Sequence, residues 1–356
     1  MPVYKMGELF CGAGGLALGA LKAELDPQNK IVHAWANDCD ESACETYRKN
    51  ICPDNPASVI CRDVRELNFN ELSSIDALAF GFPCNDFSVV GKRLGLGGRY
   101  GLMYEYGVKA LEKFKPLWFI AENVRGLLSA NKGEAQLKIL GGLKKAGYKI
   151  YPHLYKFEEY GVPQMRHRII IAGIRSDCPE IFRPPSPAPY RNKNISSQHA
   201  LENPPIPADA PNNEITRQSQ TVIERLKHIR PGENAFNAKI PENLQLHVKS
   251  ATFSSIYRRL DSAKPSYTVT GSGGGGTHIY HYSENRALTN RERARLQTFP
   301  DNFIFEGSKE SVRRQIGMAV PCEGARIIFE AVLKTFAGID YESVPCSIFF
   351  DNGQSD

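Results

Sequence analysis

The stretch Tyr4–Leu16, YKMGELFCGAGGL, joins an apolar run to a glycine-rich turn and then to the start of a helical pattern. Gly12, Gly14 and Gly15 at such a turn let a ligand approach the backbone near a helix N-terminus. The spacing is not the full G-x-G-x-x-G fingerprint of dinucleotide sites, and no P-loop lysine follows. The turn therefore indicates a nucleotide-like ligand and leaves its identity open.

Apolar runs and helical patterns alternate through the first half of the chain. The predicted strands are YKMGELF, IVHAWAN, ASVI, DALAFGF, LWFIAEN and RIIIAGI, and predicted helices include 42–49, 104–114 and 133–146. This alternation is typical of an α/β fold with a doubly wound, mostly parallel sheet. Right-handed crossovers put all the strand C-terminal ends on one side, where ligands bind, so we expect the turns after these strands to converge.

Acidic residues follow the second and third predicted strands. Asp38 stands where a carboxylate can accept hydrogen bonds from ribose hydroxyls, and Asp63 could accept one from an adenine amino group. Each acid by itself is more often a helix cap or a turn residue. Glycines and two acids at three successive strand ends favour an adenosine ligand.

A cysteine follows a proline directly after the fourth predicted strand, in GFPCNDFS at positions 81–88. Cys84 could be a buried core thiol, a metal ligand or a nucleophile. Glu122 ends the next strand, where apolar surroundings should raise its pKa toward that of a useful acid. Arg166 and Arg168 stand two apart before a further strand, so their side chains should point the same way. Together these groups form a reactive constellation.

The second half differs in composition and charge. After Phe182 the segments RPPSPAPYR and ENPPIPADAP exclude a continuous helix or a central strand, and GSGGGG at 271–276 is either a hairpin loop or a backbone that approaches a ligand closely. Residues 183–300 carry 16 Lys and Arg against 9 Asp and Glu. This basic segment favours a polyanionic partner.

Composition excludes several other classes of protein. The 356-residue chain has a net charge of +5, no apolar run long enough to span a membrane and no signal-peptide pattern, so we expect a cytoplasmic protein. Its nine cysteines form no C-x-x-C pair and should be reduced thiols. His278 and His281 lack further ligands nearby, and we expect no metal site.

These turns, in this order, resemble the DNA (cytosine-5) methyltransferase family of the bacterial restriction–modification type. The matching segments lie between residues 8 and 322: ELFCGAGGL, NDCDESACETY, GFPCNDFSVVGKRLG, AENVRGLL, YGVPQMRHRIIIAGIR, RALTNRERARLQTFPDNF and QIGMAVPC. The series Pro-Cys, Glu-Asn-Val and Gln-x-Arg-x-Arg is highly specific. The resemblance implies a Rossmann-like S-adenosylmethionine-dependent methyltransferase fold with a smaller, irregular target recognition domain.

The resemblance implies that Cys84 is the nucleophile of a sequence-specific DNA cytosine-5 methyltransferase. In the family's mechanism the target cytosine is flipped out of the duplex, Cys84 adds to C6, and C5 takes a methyl group from S-adenosyl-L-methionine. Glu122 would act at N3 of the base, and Arg168 would hold O2. The family's role implies protection of DNA from a cognate restriction endonuclease that shares the target site.

The resemblance also implies the binding residues. The cofactor would be bound by residues of the strand-end turns and of the last motif: Phe10, Gly12, Gly14, Gly15, Leu16, Asp38, Asp63, Val64, Pro83, Ala319 and Val320. Double-stranded DNA would be contacted by the loop after Cys84, by the later arginine-containing motif and by the glycine loop: Ser88, Val90, Lys92, Arg93, Arg99, Asn123, Gln164, Arg166, Thr268, Gly273, Gly274 and Gly275.

The expected organisation is a cofactor-binding and catalytic domain of residues 1–182 and 310–340, a target recognition domain and hinge of residues 183–309, and a loosely ordered tail, 341–356. We expect a monomer. The chain departs from the family's last motif at Met318, where asparagine is usual. This departure leaves open a catalytically impaired relative that binds DNA. An RNA cytosine-5 methyltransferase also stays open, because relatives with this fold act on tRNA.

Overall fold

The computed structural model describes residues 3–82, 103–128, 133–246, 254–273 and 276–351. The strands are β1 (Tyr4–Leu9), β2 (Glu24–Asp26), β3 (Asn29–Asp38), β4 (Val59–Cys61), β5 (Ala77–Phe80), β6 (Trp118–Val124), β7 (Tyr148–Lys156), β8 (Gln164–Met165), β9 (His167–Arg175) and β10 (Ser266–Tyr267). The α-helices are α1 (Gly15–Lys22), α2 (Glu41–Asn50), α3 (Tyr104–Phe114), α4 (Glu134–Lys145), α5 (Ser197–Glu202), α6 (Gln220–Lys227), α7 (Asn290–Leu296), α8 (Lys309–Met318) and α9 (Cys322–Ala337).

One large sheet organises the first part of the chain. Its strands follow the order β2-β3-β1-β5-β6-β9-β7, and β4 pairs with β3. The pairs β1–β3, β1–β5, β3–β4 and β5–β6 are parallel, which confirms the predicted α/β fold with a mostly parallel sheet. Both faces of β6 are covered, because Trp118, Phe119 and Ile120 are each at most 1% exposed.

One strand breaks the predicted direction. β9 runs antiparallel to both β6 and β7, so the expectation that every strand ends at the same edge is wrong for β9. The strand β7 was also not predicted from the sequence. The connection between these two strands spans only residues 157–166, which is too short for the crossover that a parallel pair requires. As a result the first residues of β9 lie beside the last residues of β6.

Local sequence signals explain several helix boundaries. The Asp40 side chain accepts a hydrogen bond from the Ala43 N–H and so begins α2. Thr289 and Glu292 form a reciprocal capping box at the start of α7.

Gly19 lets α1 approach α9, since an added Cβ would lie 2.5 Å from the Ala325 Cβ.

The chain divides into two compact units. The first comprises residues 1–156, 167–189 and 322–356, and the second comprises residues 157–166 and 190–321. This division differs from the expected one at α8, which falls in the second unit. The reason is close packing, because an added Cβ on Gly317 would lie 2.0 Å from the Gly271 nitrogen.

The second unit has little regular sheet; among the described residues its named strands are β8 and β10, which pair with each other. Buried arginines stabilise it by donating to backbone carbonyl groups. The Arg259 guanidinium donates to the carbonyls of Leu226, Ile229, His281 and Glu284. Carbonyl groups that lack a sheet partner thereby obtain a hydrogen bond inside the protein.

The segment after residue 340 packs against the first unit. The Ser347 hydroxyl accepts the Leu154 N–H at 2.8 Å, and the Ser347 N–H donates to His153 Nδ1 at 3.1 Å. Ile348 and Phe350 lie against the hydrophobic core. The prediction of a loosely ordered tail is therefore wrong through Asp351, because apolar and hydrogen-bonding contacts hold this segment.

Candidate active site

A partly buried ion pair lies where β6 and β9 meet. The Arg168 Nε donates to the Glu122 Oε1 at 2.8 Å, and the two side chains are 14% and 13% exposed. Val124 pairs with Arg168 across the antiparallel ladder, so Glu122, two residues earlier, lies diagonally on the same face. The structure thus brings together two of the three predicted catalytic residues.

The end of β5 lies next to this ion pair. The Glu122 Oε2 would be 3.2 Å from a Cβ added to Gly81, so the carboxylate leaves little space for a side chain there. The buried Asn123 amide donates to the Phe82 carbonyl at 3.3 Å. This bond connects β6 to the chain immediately before Pro83 and Cys84, and the expected contact of Asn123 with DNA stays a prediction.

Part of the predicted site lies outside the described residues. This applies to Cys84, the predicted nucleophile, and to eight other predicted residues: Pro83, Ser88, Val90, Lys92, Arg93, Arg99, Gly274 and Gly275. Their roles stay predictions.

Three strand ends converge beside β1, as the sequence predicted. The Gly12 N–H donates to the Asp38 Oδ2 at 2.9 Å, and the Asp40 N–H donates to the Asp38 Oδ1 at the same distance. Burial raises the pKa of the Asp38 carboxyl, although these N–H donors oppose the rise. Asp38 is thereby fixed between the glycine turn and the start of α2.

The third strand end is held by a residue that was not predicted from the sequence to belong to the site. The buried Asn37 side chain donates to the carbonyls of Ile60 and Arg62 at 2.9 and 2.8 Å. Asp63 then caps a short 3-10 helix and pairs with Arg65, while Val64 is buried. The sequence feature that could have identified Asn37 is its position next to Asp38 at the end of a predicted strand.

The glycine turn has the geometry that a bound group requires. Gly12 and Gly14 adopt φ values of 52° and 85°, which favour glycine, and no described atom lies within 4 Å of a Cβ added to Gly12. Phe10 lies half-buried next to this turn, while Gly15 and Leu16 begin α1 and are buried. These residues fit a cofactor bounded by glycine backbone and the Asp38 carboxylate.

Four residues predicted to contact DNA belong to the second unit, and three of them have side chains that hydrogen-bond to its backbone. Arg166 is fully buried and donates to the carbonyls of Val269 and Gly317 at 3.0 and 2.9 Å. Gln164 is also fully buried and accepts the Val269 N–H at 2.8 Å. The predicted contacts of Arg166 and Gln164 with DNA stay predictions.

The other two are more accessible. The Thr268 hydroxyl donates to the Met165 carbonyl at 2.6 Å, and Gly273 lies against the Arg313 side chain. Ala319 and Val320 also belong to the second unit, so their predicted contact with a cofactor stays a prediction. Met318 ends α8 and is 65% exposed.

Two kinds of feature, a membrane-spanning helix and a metal-binding cluster, are absent from the part of the chain that the structure describes. Within it, no helix is long and apolar enough to cross a membrane. Within the same residues, no group of three or more His, Cys, Asp and Glu side chains could hold a metal ion.

Comparison with known proteins shows the family to which the chain belongs. A family model for C-5 cytosine-specific DNA methylases matches residues 4–334. The chain is 60% identical to the Type II methyltransferase M.BbvI of Brevibacillus brevis over 96% of this chain and 94% of that protein. It is 40% identical to the Type II methyltransferase M.NgoFVII of Neisseria gonorrhoeae, over 96% and 89% respectively.

Solved structures show the same fold. A methyltransferase encoded within an Escherichia coli prophage has a TM-score of 0.65 at 24% identity and covers 94% of this chain and 99% of that chain. The Entamoeba histolytica methyltransferase EhMeth has a TM-score of 0.64 at 13% identity, with 95% and 98% covered. The chain belongs to the C-5 cytosine-specific DNA methylase family and is a DNA (cytosine-5-)-methyltransferase.

Proposed function

We propose that this enzyme methylates one cytosine within a specific sequence of double-stranded DNA, after flipping that cytosine out of the duplex. The observation that carries the proposal is the Glu122–Arg168 ion pair beside Gly81, three residues before Cys84. A carboxyl group and a guanidinium on one face can bind the edge of a cytosine through N3 and O2. Stacking hides the reacting carbon in a duplex, so the base must leave the helix.

Each residue then has one chemical role. The Cys84 thiolate forms a bond to C6, which moves electron density to C5. Glu122 stabilises that adduct by placing a proton at N3, and Arg168 holds O2. After C5 has gained a methyl group, the C5 proton passes to water, the electrons of its bond form the C5–C6 double bond, the thiolate leaves C6, and the N3 proton returns to Glu122, which restores the aromatic ring. Covalent catalysis of this kind replaces one difficult step by two easier ones.

S-adenosyl-L-methionine would supply the methyl group when bound. The turn residues Gly12 and Gly14 would lie against it, Asp38 would accept the ribose hydroxyls, and Asp63 would accept the adenine amino group. The open space at Gly12 and the position of the Asp38 carboxylate support this assignment.

The biological role in the proposal is protection of DNA from a cognate restriction endonuclease with the same target. The names of the relatives M.BbvI and M.NgoFVII, both Type II methyltransferases, support it. We further propose a monomer, since one flipped base in an asymmetric site needs no twofold partner, and a cytoplasmic location with its DNA substrate.

The proposal is tested by transfer of tritiated methyl groups from S-adenosyl-L-methionine to unmethylated genomic DNA, followed by bisulfite sequencing. We expect methylated cytosines confined to one short motif, and at least a 1000-fold loss of rate, an order-of-magnitude value, in the Cys84→Ser variant. Cys346→Ser is the control for thiol loss.

Three outcomes would contradict the proposal. Wild-type activity in Cys84→Ser would remove the nucleophile. Faster transfer to tRNA than to DNA would make RNA the substrate. DNA binding without any methyl incorporation would indicate a catalytically impaired relative.

A further inference from the structure

Two arginines of the second unit meet beneath the segment Thr270–Gly273. Arg293 lies on α7, and Arg313 lies on α8. We call them the guanidinium pair. Neither residue was singled out from the sequence, because nothing in its spacing distinguishes it from the other arginines nearby.

The buried member of the pair has weak contacts. Arg293 is 1% exposed, yet its Nη1 lies 3.4 Å from the Thr270 carbonyl oxygen and its Nη2 lies 3.5 Å from the His278 Nδ1. Hydrogen bonds of this kind are usually near 2.9 Å, so these two are weak.

The outer member is held against a glycine. The Arg313 Nη2 donates to the Gly273 carbonyl at 3.3 Å, and its buried Nε has no hydrogen-bond partner. A Cβ added to Gly273 would lie 2.3 Å from that Nε, so a side chain at position 273 would displace the guanidinium. The Arg313 Nε is therefore an unused hydrogen-bond donor, and its position requires a glycine at residue 273.

Among the residues that the structure describes, neither guanidinium has a carboxylate partner. The neighbouring acid Glu292 is taken by Arg286, whose Nη1 lies 2.8 Å from the Glu292 Oε2. Arg259 in the same unit donates to four carbonyls, with the three distances to Leu226, Ile229 and His281 between 2.8 and 3.1 Å. The guanidinium pair thus carries charge that its own fold leaves poorly compensated.

The electrostatic consequences agree with this geometry. Burial, followed by repulsion from Arg313, lowers the pKa of Arg293 to about 10. Burial and the two arginines also lower the pKa of His278 to about 4, so this histidine is neutral at pH 7 and adds no third charge. Two like charges in a poorly solvated place favour the arrival of an anion.

We infer that the guanidinium pair binds one phosphodiester group of the DNA substrate, with Arg313 contacting the phosphate and Arg293 supporting it from beneath. The inference rests on the proposed function, since it takes duplex DNA as the substrate. A planar guanidinium fork suits phosphate oxygens, and a bound phosphate would neutralise the repulsion within the pair. Anchoring a phosphate here would position the Thr270–Gly273 segment on the duplex.

The first arm of the test measures DNA binding by fluorescence anisotropy at several salt concentrations. We expect Arg313→Gln to raise Kd by about 10-fold to 100-fold and to reduce the slope of log K against log salt by about one. The exposed neighbour Arg314→Gln is the matched control and should keep the wild-type slope. A wild-type slope in Arg313→Gln, or an equal change in Arg314→Gln, would overturn the inference.

The second arm measures thermal stability without DNA. Removing a repelled charge should leave the melting temperature of Arg313→Gln unchanged or higher, whereas Arg259→Met should lower it, because Arg259 supports the fold. Loss of stability in Arg313→Gln equal to that in Arg259→Met would show that Arg313 is a framework residue and would contradict the inference.

The third arm separates DNA phosphate from free phosphate. Inorganic phosphate is compared with sodium chloride at equal ionic strength, and we expect no phosphate-specific rise in melting temperature. A specific rise that is lost in Arg313→Gln would reassign the site to free phosphate. Failure of the wild-type protein to bind or methylate DNA would instead remove the proposed function, so the two failures are distinguishable.

Discussion

The β6–β9 edge of the first unit and the interior of the second unit both depend on arginines, but they use them differently. In the sheet the backbone groups pair with each other, so Arg168 is available to pair with Glu122. In the irregular second unit many carbonyls have no ladder partner, and Arg166 and Arg259 donate to them. The role of an arginine thus follows from whether the backbone around it is already satisfied.

Arg166 and Arg168 show how local this difference is. They stand two residues apart in one motif, yet the structure gives Arg168 a carboxylate as well as the His167 carbonyl, and gives Arg166 two carbonyl groups of the second unit. Alternation along an extended chain predicts one direction for both side chains. Residue 166 ends the second unit's segment, while residue 168 already belongs to β9, and each side chain has its partners in its own unit.

The largest expected effect concerns the sheet edge. Glu122→Gln keeps the shape of the side chain but removes the charge and the transferable proton. We expect the methyl-transfer rate to fall by about 10²-fold to 10⁴-fold, measured as kcat with saturating DNA and S-adenosyl-L-methionine. The Kd for DNA should change little, because the ion pair concerns the flipped base and not the phosphates.

Glu112→Gln is the matched control for this change. Glu112 is exposed on α3, and its substitution should leave the methyl-transfer rate at the wild-type value. A wild-type rate in Glu122→Gln would mean that the ion pair only stabilises the fold. The arginine at the sheet edge would then have the same structural role as the arginines of the second unit.

The next expected effect concerns Arg166, an arginine that donates to backbone carbonyls of the second unit and not to a carboxylate. Arg166→Gln removes donors from the Val269 and Gly317 carbonyls inside the second unit. We expect the free energy of unfolding to fall by about 2–4 kcal/mol in chemical denaturation, with the salt dependence of DNA binding unchanged. Unchanged stability with a smaller salt slope would support the family expectation that Arg166 contacts the DNA backbone.

The sequence allowed much of the first unit to be predicted, because strand–helix alternation and strand-end residues are local signals. The convergence of Gly12, Asp38 and the turn at Asp63 followed from parallel strands that end at one edge. The direction of β9 and the strand β7 were missed, since an antiparallel return depends on connection length as well as on apolar pattern.

The second unit could be predicted only in outline. Proline-rich composition indicated irregular structure, but the partners of Arg166, Arg259 and Arg293 depend on which carbonyls the folded chain leaves unpaired. The contacts of Ser347 and Phe350 were not predicted either. A segment that packs as an extended chain has no periodic pattern of apolar residues from which its packing could be predicted.

The last expected effect, the smallest over any single pH unit, returns to the sheet, where one carboxyl group has no cationic partner among the residues that the structure describes. The Tyr47 hydroxyl donates to the Glu8 Oε2 at 2.9 Å, and Glu8 is 2% exposed. Burial, only partly opposed by this hydrogen bond, raises the pKa of Glu8 to about 8 from its ordinary value near 4.5. The folded protein therefore keeps a proton on Glu8 at pH values where the unfolded chain has lost it.

Since the folded state binds this proton more tightly, the contribution of Glu8 to stability is complete below pH 4.5 and is lost as the pH rises to 8. Glu8→Gln stays neutral throughout. We expect the unfolding free energy of the wild type, relative to Glu8→Gln, to fall by up to about 1.4 kcal/mol per pH unit between pH 5 and 8 and to level off above. Urea denaturation of both proteins across this range measures the difference. Parallel pH profiles would show that Glu8 is already ionised in the fold, and that the sheet, like the second unit, contains a buried charge in need of a partner.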